Sequence, residues 1–177
     1  MQVIHIHHPL DPQQIPEGPV VLAMGFFDGV HRGHQAVIAA AKQEAGRAGL
    51  PLAVLTYANA PGIVYKPFVG GFKYLSTAKR KCQLLKQLGV DIVYLVDFTS
   101  AFAAQKPQDF VDAYLMGFHA QVVVAGFDHT YGPGSDATMA NLPHFAKGRF
   151  KVITVPQMTI DHEKVSSTRI RQLIDSG

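Results

Sequence analysis

The chain has a single cysteine, Cys82, no tryptophan, and only 16% charged residues among its 177. One cysteine excludes an internal disulfide and argues against a structural zinc cluster. No apolar run approaches the roughly 18 residues that a membrane span needs. The first residues, Met1-Gln2-Val3-Ile4-His5-Ile6-His7-His8-Pro9, carry neither the basic nor the apolar segment of a secretory leader. Sixteen Lys+Arg against thirteen Asp+Glu leave a net charge of +3. That excess is too dilute for nucleic acid, which asks for basic residues gathered on one face. The densest basic group, Lys79-Arg80-Lys81 with Lys86, falls on a helical pattern and reads as a solvated face. These absences describe a cytoplasmic protein with small-molecule ligands and neither a membrane nor a nucleic-acid partner. What is plentiful is apolar: 47% of the residues. That content excludes disorder, and the length suits one domain burying about 70% of its unfolded surface.

Short β-branched runs alternate with helical patterns, the signature of parallel α/β layering. Val20–Met24, Leu52–Tyr57, Asp91–Val96, Gln121–Ala125 and Arg149–Val155 read as strands. Helices are expected over about 34–48, 77–88, 107–118, 139–147 and 166–175. Gly49 with Pro51, and Gly89, supply stop signals, and Pro107 suits a first turn. The Pro- and Gly-rich stretch from Ala60 to Gly71 is expected as a long loop or flap, and Phe127–Asp136 as a second loop. About five strands with right-handed crossovers predict one open, mostly parallel sheet with helices on both faces. Ligands bind such sheets at the carboxyl ends of strands, near a topological switch point.

Two blocks at such ends can carry chemistry. Gly25-Phe26-Phe27-Asp28-Gly29-Val30-His31-Arg32-Gly33-His34 joins the first strand to the first helix. Its glycines permit a tight turn and close backbone approach to a ligand, and the free N–H groups of a helix start favour a phosphate. His31 and His34, three apart on a first helical turn, can face one anion. Donors so aimed would stabilise charge that grows on a phosphoryl group during reaction. Neither G-x-G-x-x-G nor a P-loop Gly-Lys-Ser/Thr is present, which sets aside dehydrogenase and Walker-type readings. Val165-Ser166-Ser167-Thr168-Arg169-Ile170-Arg171 opens the last helix. Its hydroxyls can cap the helix or reach a phosphate, and an arginine can fork onto one. With Ile170, Leu173 and Ile174 facing inward, Arg169 and Arg171 lie on opposite flanks, and helix phase does not choose between them.

A third block, Ala125-Gly126-Phe127-Asp128-His129-Thr130-Tyr131-Gly132, places Asp128 after the fourth strand, as a ligand contact or as a turn residue. After the second strand comes Thr56-Tyr57-Ala58-Asn59-Ala60-Pro61, in which Thr56 and Asn59 offer polar contacts.

His-x-Gly-His resembles the signature of the nucleotidyltransferase superfamily. With its Gly-Phe-Phe-Asp-Gly lead-in it is similar to the FAD synthetase domain of the bacterial riboflavin kinase/FMN adenylyltransferase family. The last block resembles that family's I-S-S-T-x-I-R, with Val165 for isoleucine. The third resembles G-x-D-F-x-F-G, with His129 and Tyr131 for two phenylalanines. Residues 56–61 depart from T-F-x-P-H-P, keeping Thr56 and Pro61 but not the first proline or the histidine. The resemblance covers most of the chain, including Leu88-Gly89-Val90-Asp91 and Phe110-Val111.

It implies a Rossmann-like three-layer sandwich and transfer of AMP from ATP to FMN, giving FAD and pyrophosphate with Mg²⁺ held mainly by substrate and water. It further implies that His31 and His34 stabilise the α-phosphate in the transition state. Ser166, Ser167, Thr168 and Arg171 would hold the leaving phosphates, with Gly25, Phe26, Phe27, Asp28 and Gly29 around the adenosine. No riboflavin kinase barrel follows within these residues, so the chain is expected as a single adenylyltransferase domain, either monofunctional or part of a longer protein. Two other readings stay open: a pantetheine-phosphate, nicotinamide-mononucleotide or glycerol-phosphate nucleotidyltransferase, and a non-catalytic nucleotide- or flavin-binding regulator.

Overall fold

Apolar runs without polar alternation make strands that must be covered on both faces, which is what a parallel sheet between helical layers provides. The computed structural model describes residues 1–177 and shows that arrangement. Strands β1 (Gln2–Ile6), β2 (Val20–Met24), β3 (Leu52–Tyr57), β4 (Ile92–Val96), β5 (Ala120–Gly126) and β6 (Lys151–Val155) form one six-stranded sheet in the order β1-β4-β3-β2-β5-β6. Every neighbouring pair is parallel. β2, β3 and β4 are buried at every residue.

Helices α1 (Arg32–Ala48) and α3 (Ala78–Gln87) cover one face, where Val37, Ile38, Ala41 and Leu85 pack on Val21, Ala23, Val54 and Val93. The other face carries the larger cluster, 28 buried residues that include Leu22, Leu55, Tyr94, Phe110, Tyr114 and Phe118. At about 25 cal/mol per Å² of apolar surface removed from water, these two layers supply most of the drive to fold.

Five strands stand where the apolar runs placed them; β1 is the addition. Its Val3, Ile4 and Ile6 are accompanied by the polar Gln2 and His5, and it pairs with β4 alone, Ile4 opposite Tyr94. The flap is not wholly loop: Pro61–Tyr65 forms a short helix, α2. Between Ser100–Ala103 (α4) and β5, the apolar stripe expected over 107–118 is buried as its spacing implies. Its backbone, however, is a short α-helix, α5 (Pro107–Phe110), running into a π turn over Val111–Leu115. There Met116 N–H donates to the Val111 carbonyl at 3.0 Å, five residues back. A short helix α6 (Leu142–Ala146) precedes β6, and a two-stranded hairpin, β7 (Thr159–Ile160) with β8 (Glu163–Lys164), precedes the last helix, α7 (Ser167–Ser176).

In α7 the expected inward stripe is not buried. Leu173 and Ile174 are 52% and 67% exposed, because this helix meets the body through its first turns and no layer covers the rest. The segments β2–α1–β3–α3–β4 progress to one side, and the chain then returns past β2 to lay down β5. The switch point therefore lies between the carboxyl ends of β2 and β5.

Candidate active site

At that switch point β2 runs into Gly25 and β5 ends in Gly126, and both glycines line a cleft of about 360 Å³. The turn leaving β2 is backbone-strained. Phe27 and Val30 have φ of 53° and 44°, a region that a β-branched residue such as Val30 rarely adopts. Between them Gly29, at φ 77°, has no room for a side chain: a Cβ would lie 2.9 Å from Leu75 Cβ. The turn delivers His31 as the N-cap of α1. His31 Nδ1 accepts from the N–H groups of Gly33 (3.1 Å) and His34 (3.3 Å). Two donors on Nδ1 place the imidazole proton on Nε2, leaving an N–H to offer a ligand.

The ring of His34 stacks on that of His31 with centroids 3.5 Å apart, and Phe27 closes edge-on behind it at 5.3 Å. Burial lowers the pKa of both histidines. For His34 it falls to about 3, with the His31 and Lys81 charges adding to the effect of burial. Both rings are therefore neutral at physiological pH.

Facing them, Ser166 caps α7, its Oγ accepting from Arg169 N–H at 3.2 Å, and both Ser166 and Ser167 line the cleft. Phe127 and Asp128 line it from the β5 side. Asp128 pairs with Lys164 at 2.8 Å, and the Lys164 Nζ lies 5.3 Å from the centre of the Phe127 ring. Tyr57, Tyr65, Phe98 and Phe102 make the far end aromatic. Beside Asp128, His129 faces the cleft with a buried Nε2 that has no partner, and burial lowers its pKa to about 4.

The cleft thus gathers Gly25, Phe26, Phe27, His31, His34, Asp128, Ser166 and Ser167 from the sequence-derived set. The remaining members are placed differently. Thr56 is fully buried and donates to the Phe26 carbonyl at 2.8 Å. Asn59 exchanges two hydrogen bonds of 2.9 Å with the backbone of Phe98. Thr168 is on the exposed side of α7. Asp28, 2% exposed, and Arg171 pair with each other behind the wall of the cleft. Arg169 pairs with Glu163 at 2.6 Å at the surface.

Two residues with a part in the site escaped the reading of motifs. Lys81 is not on a solvated face: it is 3% exposed and donates to the carbonyls of Phe26 (2.9 Å) and Tyr57 (2.8 Å), where β2 and β3 end. Burial lowers its pKa to about 8, against the pull of the Asp28 charge. A lysine amid helical apolar residues, one turn after the Thr77 cap, was the available signal. Lys164 reaches the cleft from β8, a strand whose turn at Asp161 and His162 (φ 51° and 66°) carries no glycine to announce it.

The FAD synthetase family model matches residues 13–169. This chain belongs to the FAD synthetase family. It is 45% identical over 177 residues to a bifunctional riboflavin kinase/FMN adenylyltransferase of Listeria monocytogenes and 37% identical to that of Bacillus subtilis. Each match covers 100% of this chain and 56% of the relative, so the chain spans little more than half the length of those FAD synthetase relatives. Among solved structures, one described as a macrolide-efflux protein from Streptococcus pneumoniae matches with a TM-score of 0.85 and 34% identity, over 98% of this chain and 56% of that one. A pantothenate synthetase from Thermus thermophilus shares the fold, with a TM-score of 0.62 and 17% identity, over 96% of this chain and 67% of that one. Within the FAD synthetase match fall His31, His34, Asp128, Ser166 and Ser167.

Proposed function

We propose that this chain transfers the AMP moiety of ATP to FMN, making FAD and releasing pyrophosphate. The observation that carries this is the pair of stacked, neutral histidines facing Ser166 and Ser167 across one cleft whose opposite end is aromatic. An oxygen of the FMN phosphate attacks the α-phosphorus of ATP, a new P–O bond forms, and the bridging α–β P–O bond breaks as pyrophosphate departs. His31, donating through Nε2, and His34 meet the oxygens on which charge builds in the transition state. As neutral donors they need no proton transfer to do so. Ser166, Ser167 and Lys164 receive the leaving phosphates. The Gly25–Phe27 wall and Asp128 enclose the adenosine. Tyr57, Tyr65, Phe98 and Phe102 take the flavin ring, an apolar surface with stacking faces.

Mg²⁺ belongs to the substrate and arrives on the triphosphate. Asp128 is the one carboxylate among the lining residues, and no three His, Cys, Asp or Glu side chains group as a metal cage. We infer from ATP and FMN as substrates that the activity is cytoplasmic, and that residues 1–177 act as a single adenylyltransferase domain.

The test is FAD formation from ATP, Mg²⁺ and FMN, followed by chromatography, with pantetheine phosphate and nicotinamide mononucleotide as rival acceptors. FMN is expected to be the acceptor used. His34→Ala is expected to lower turnover about 10²-fold, as losing an oxyanion donor does, with a much smaller change in substrate binding. Near-normal FAD synthesis by the His31→Ala/His34→Ala double variant would overturn the roles assigned to these rings.

A further inference from the structure

His129 lines the cleft but has no part in the phosphate chemistry above. Its Nε2 is buried and finds no hydrogen-bond partner in the protein. Such an atom costs free energy unless a partner is supplied. Phenylalanine, which stands here in the family's G-x-D-F-x-F-G stretch, would carry no such cost. The backbone that presents the ring is held on both sides. His129 N–H donates to the Gly126 carbonyl at 3.0 Å, Thr130 bridges to Thr138, and the Tyr131 hydroxyl donates to the Thr138 carbonyl at 2.8 Å. Burial lowers the pKa of this imidazole to about 4. At neutral pH one ring nitrogen therefore donates and the other accepts.

We propose that His129 reads the polar edge of the flavin ring, hydrogen-bonding the pyrimidine part of the FMN isoalloxazine and so selecting the acceptor. The proposal rests on the adenylyl-transfer reading above. Position in the cleft favours the flavin over the nucleotide. The loop leaves Asp128 and runs toward the aromatic end, where a Cβ on Gly132 would lie 3.4 Å from the Gln105 carbonyl oxygen, just after α4. Tyr131 stacks on Phe110 with centroids 5.8 Å apart, and Phe110 meets Phe102 edge-on at 6.0 Å. Phe102 in turn meets Tyr57 at 5.9 Å. His129 thus stands between Asp128 and the rings that take the flavin. Aromatic side chains hold an isoalloxazine by its faces and its apolar dimethylbenzene side. They do not read the opposite side, which carries two carbonyl oxygens flanking an N–H. A neutral imidazole matches either kind of group, and its soft χ2 torsion lets the ring turn a nitrogen to meet it. A site with a polar group waiting for its partner rejects an analogue that lacks that partner more sharply than an apolar wall does.

The experiment measures steady-state FAD formation by the wild-type chain, His129→Phe and His129→Gln, with FMN and with 3-methyl-FMN as acceptors. The methyl group blocks the ring N–H between the two carbonyls. His129→Phe is expected to raise KM for FMN about tenfold, with kcat and KM for ATP changed by less than about threefold. His129→Gln, whose amide both donates and accepts, should recover part of that loss. The wild-type chain should prefer FMN to 3-methyl-FMN by about tenfold or more in kcat/KM, and His129→Phe by less than about threefold. An equal preference in both chains places His129 away from that edge and overturns the proposal. A rise in KM for ATP at unchanged KM for FMN assigns the nitrogen to the nucleotide and overturns it as well. Should His129→Phe fail to fold, His129→Leu makes the same deletion with less bulk and carries the same expectations. Quenching of flavin fluorescence reads FMN binding without turnover. If the wild-type chain binds FMN and makes no FAD, the adenylyl-transfer reading fails, while weaker binding by His129→Phe still supports the contact. Equal FMN binding by the two chains refutes the contact itself.

Discussion

His34 and His129 are bases that the folded chain keeps uncharged: burial lowers their pKa values to about 3 and about 4 from an ordinary 6.5. Between those values and 6.5 the unfolded chain binds more protons than the folded one, so stability falls as pH falls below 6.5. At one proton each, a drop from pH 7 to pH 5 costs on the order of 2 kcal/mol per histidine. Denaturant titrations across that range should show this slope, and His34→Gln should flatten it by up to one proton; an unchanged slope would mean that His34 titrates normally. The same residues show how much of the site was legible. His31 and His34 sit on a first helical turn as their spacing required, with Ser166 and Ser167 opposite. Thr56, Asn59, Asp28 and Arg171 stood in the right segments but face backbone or each other, because a polar side chain beside a buried loop must first satisfy that loop's own N–H and C=O groups.

Among the elements, α3 carries more than its sequence advertised. Its basic start reads as solvent-facing, and Lys79, Arg80 and Lys86 are exposed, but Lys81 turns inward to close the carboxyl ends of β2 and β3. A parallel sheet ends in carbonyls that no strand partner satisfies, and one ammonium with three donors answers two of them. Lys81→Met keeps the length and apolar stem while stranding the Tyr57 carbonyl; Phe26 retains Thr56 as a donor. The expected cost is about 2 kcal/mol in denaturant unfolding, the range for a buried polar group left unpaired. A loss below 0.5 kcal/mol would show that water replaces the amine. Strand and helix positions were readable because apolar period reports burial directly. The π turn at 111–115 was not, since it leaves the same side chains buried as an α-helix would.

At the scale of the whole molecule, the FAD synthetase family model matches residues 13–169, and the match to the bifunctional relatives covers 56% of their length. The 177-residue chain is expected to convert FMN to FAD and to leave riboflavin unphosphorylated. Incubation with riboflavin and ATP should give neither FMN nor FAD, and accumulation of FMN would refute the single-activity reading. The sheet's connectivity also has a consequence for how the chain is made. Of the six strands of the sheet β1 is made before the others, and its only neighbour is β4, with Gln2 opposite Ile92. During vectorial synthesis the opening segment therefore waits unpaired for some ninety residues, through the docking of β2 and β3, and completes the sheet as a late closing edge. Gln2 and His5 among its aliphatics keep that waiting segment less sticky than the wholly apolar strand it will join.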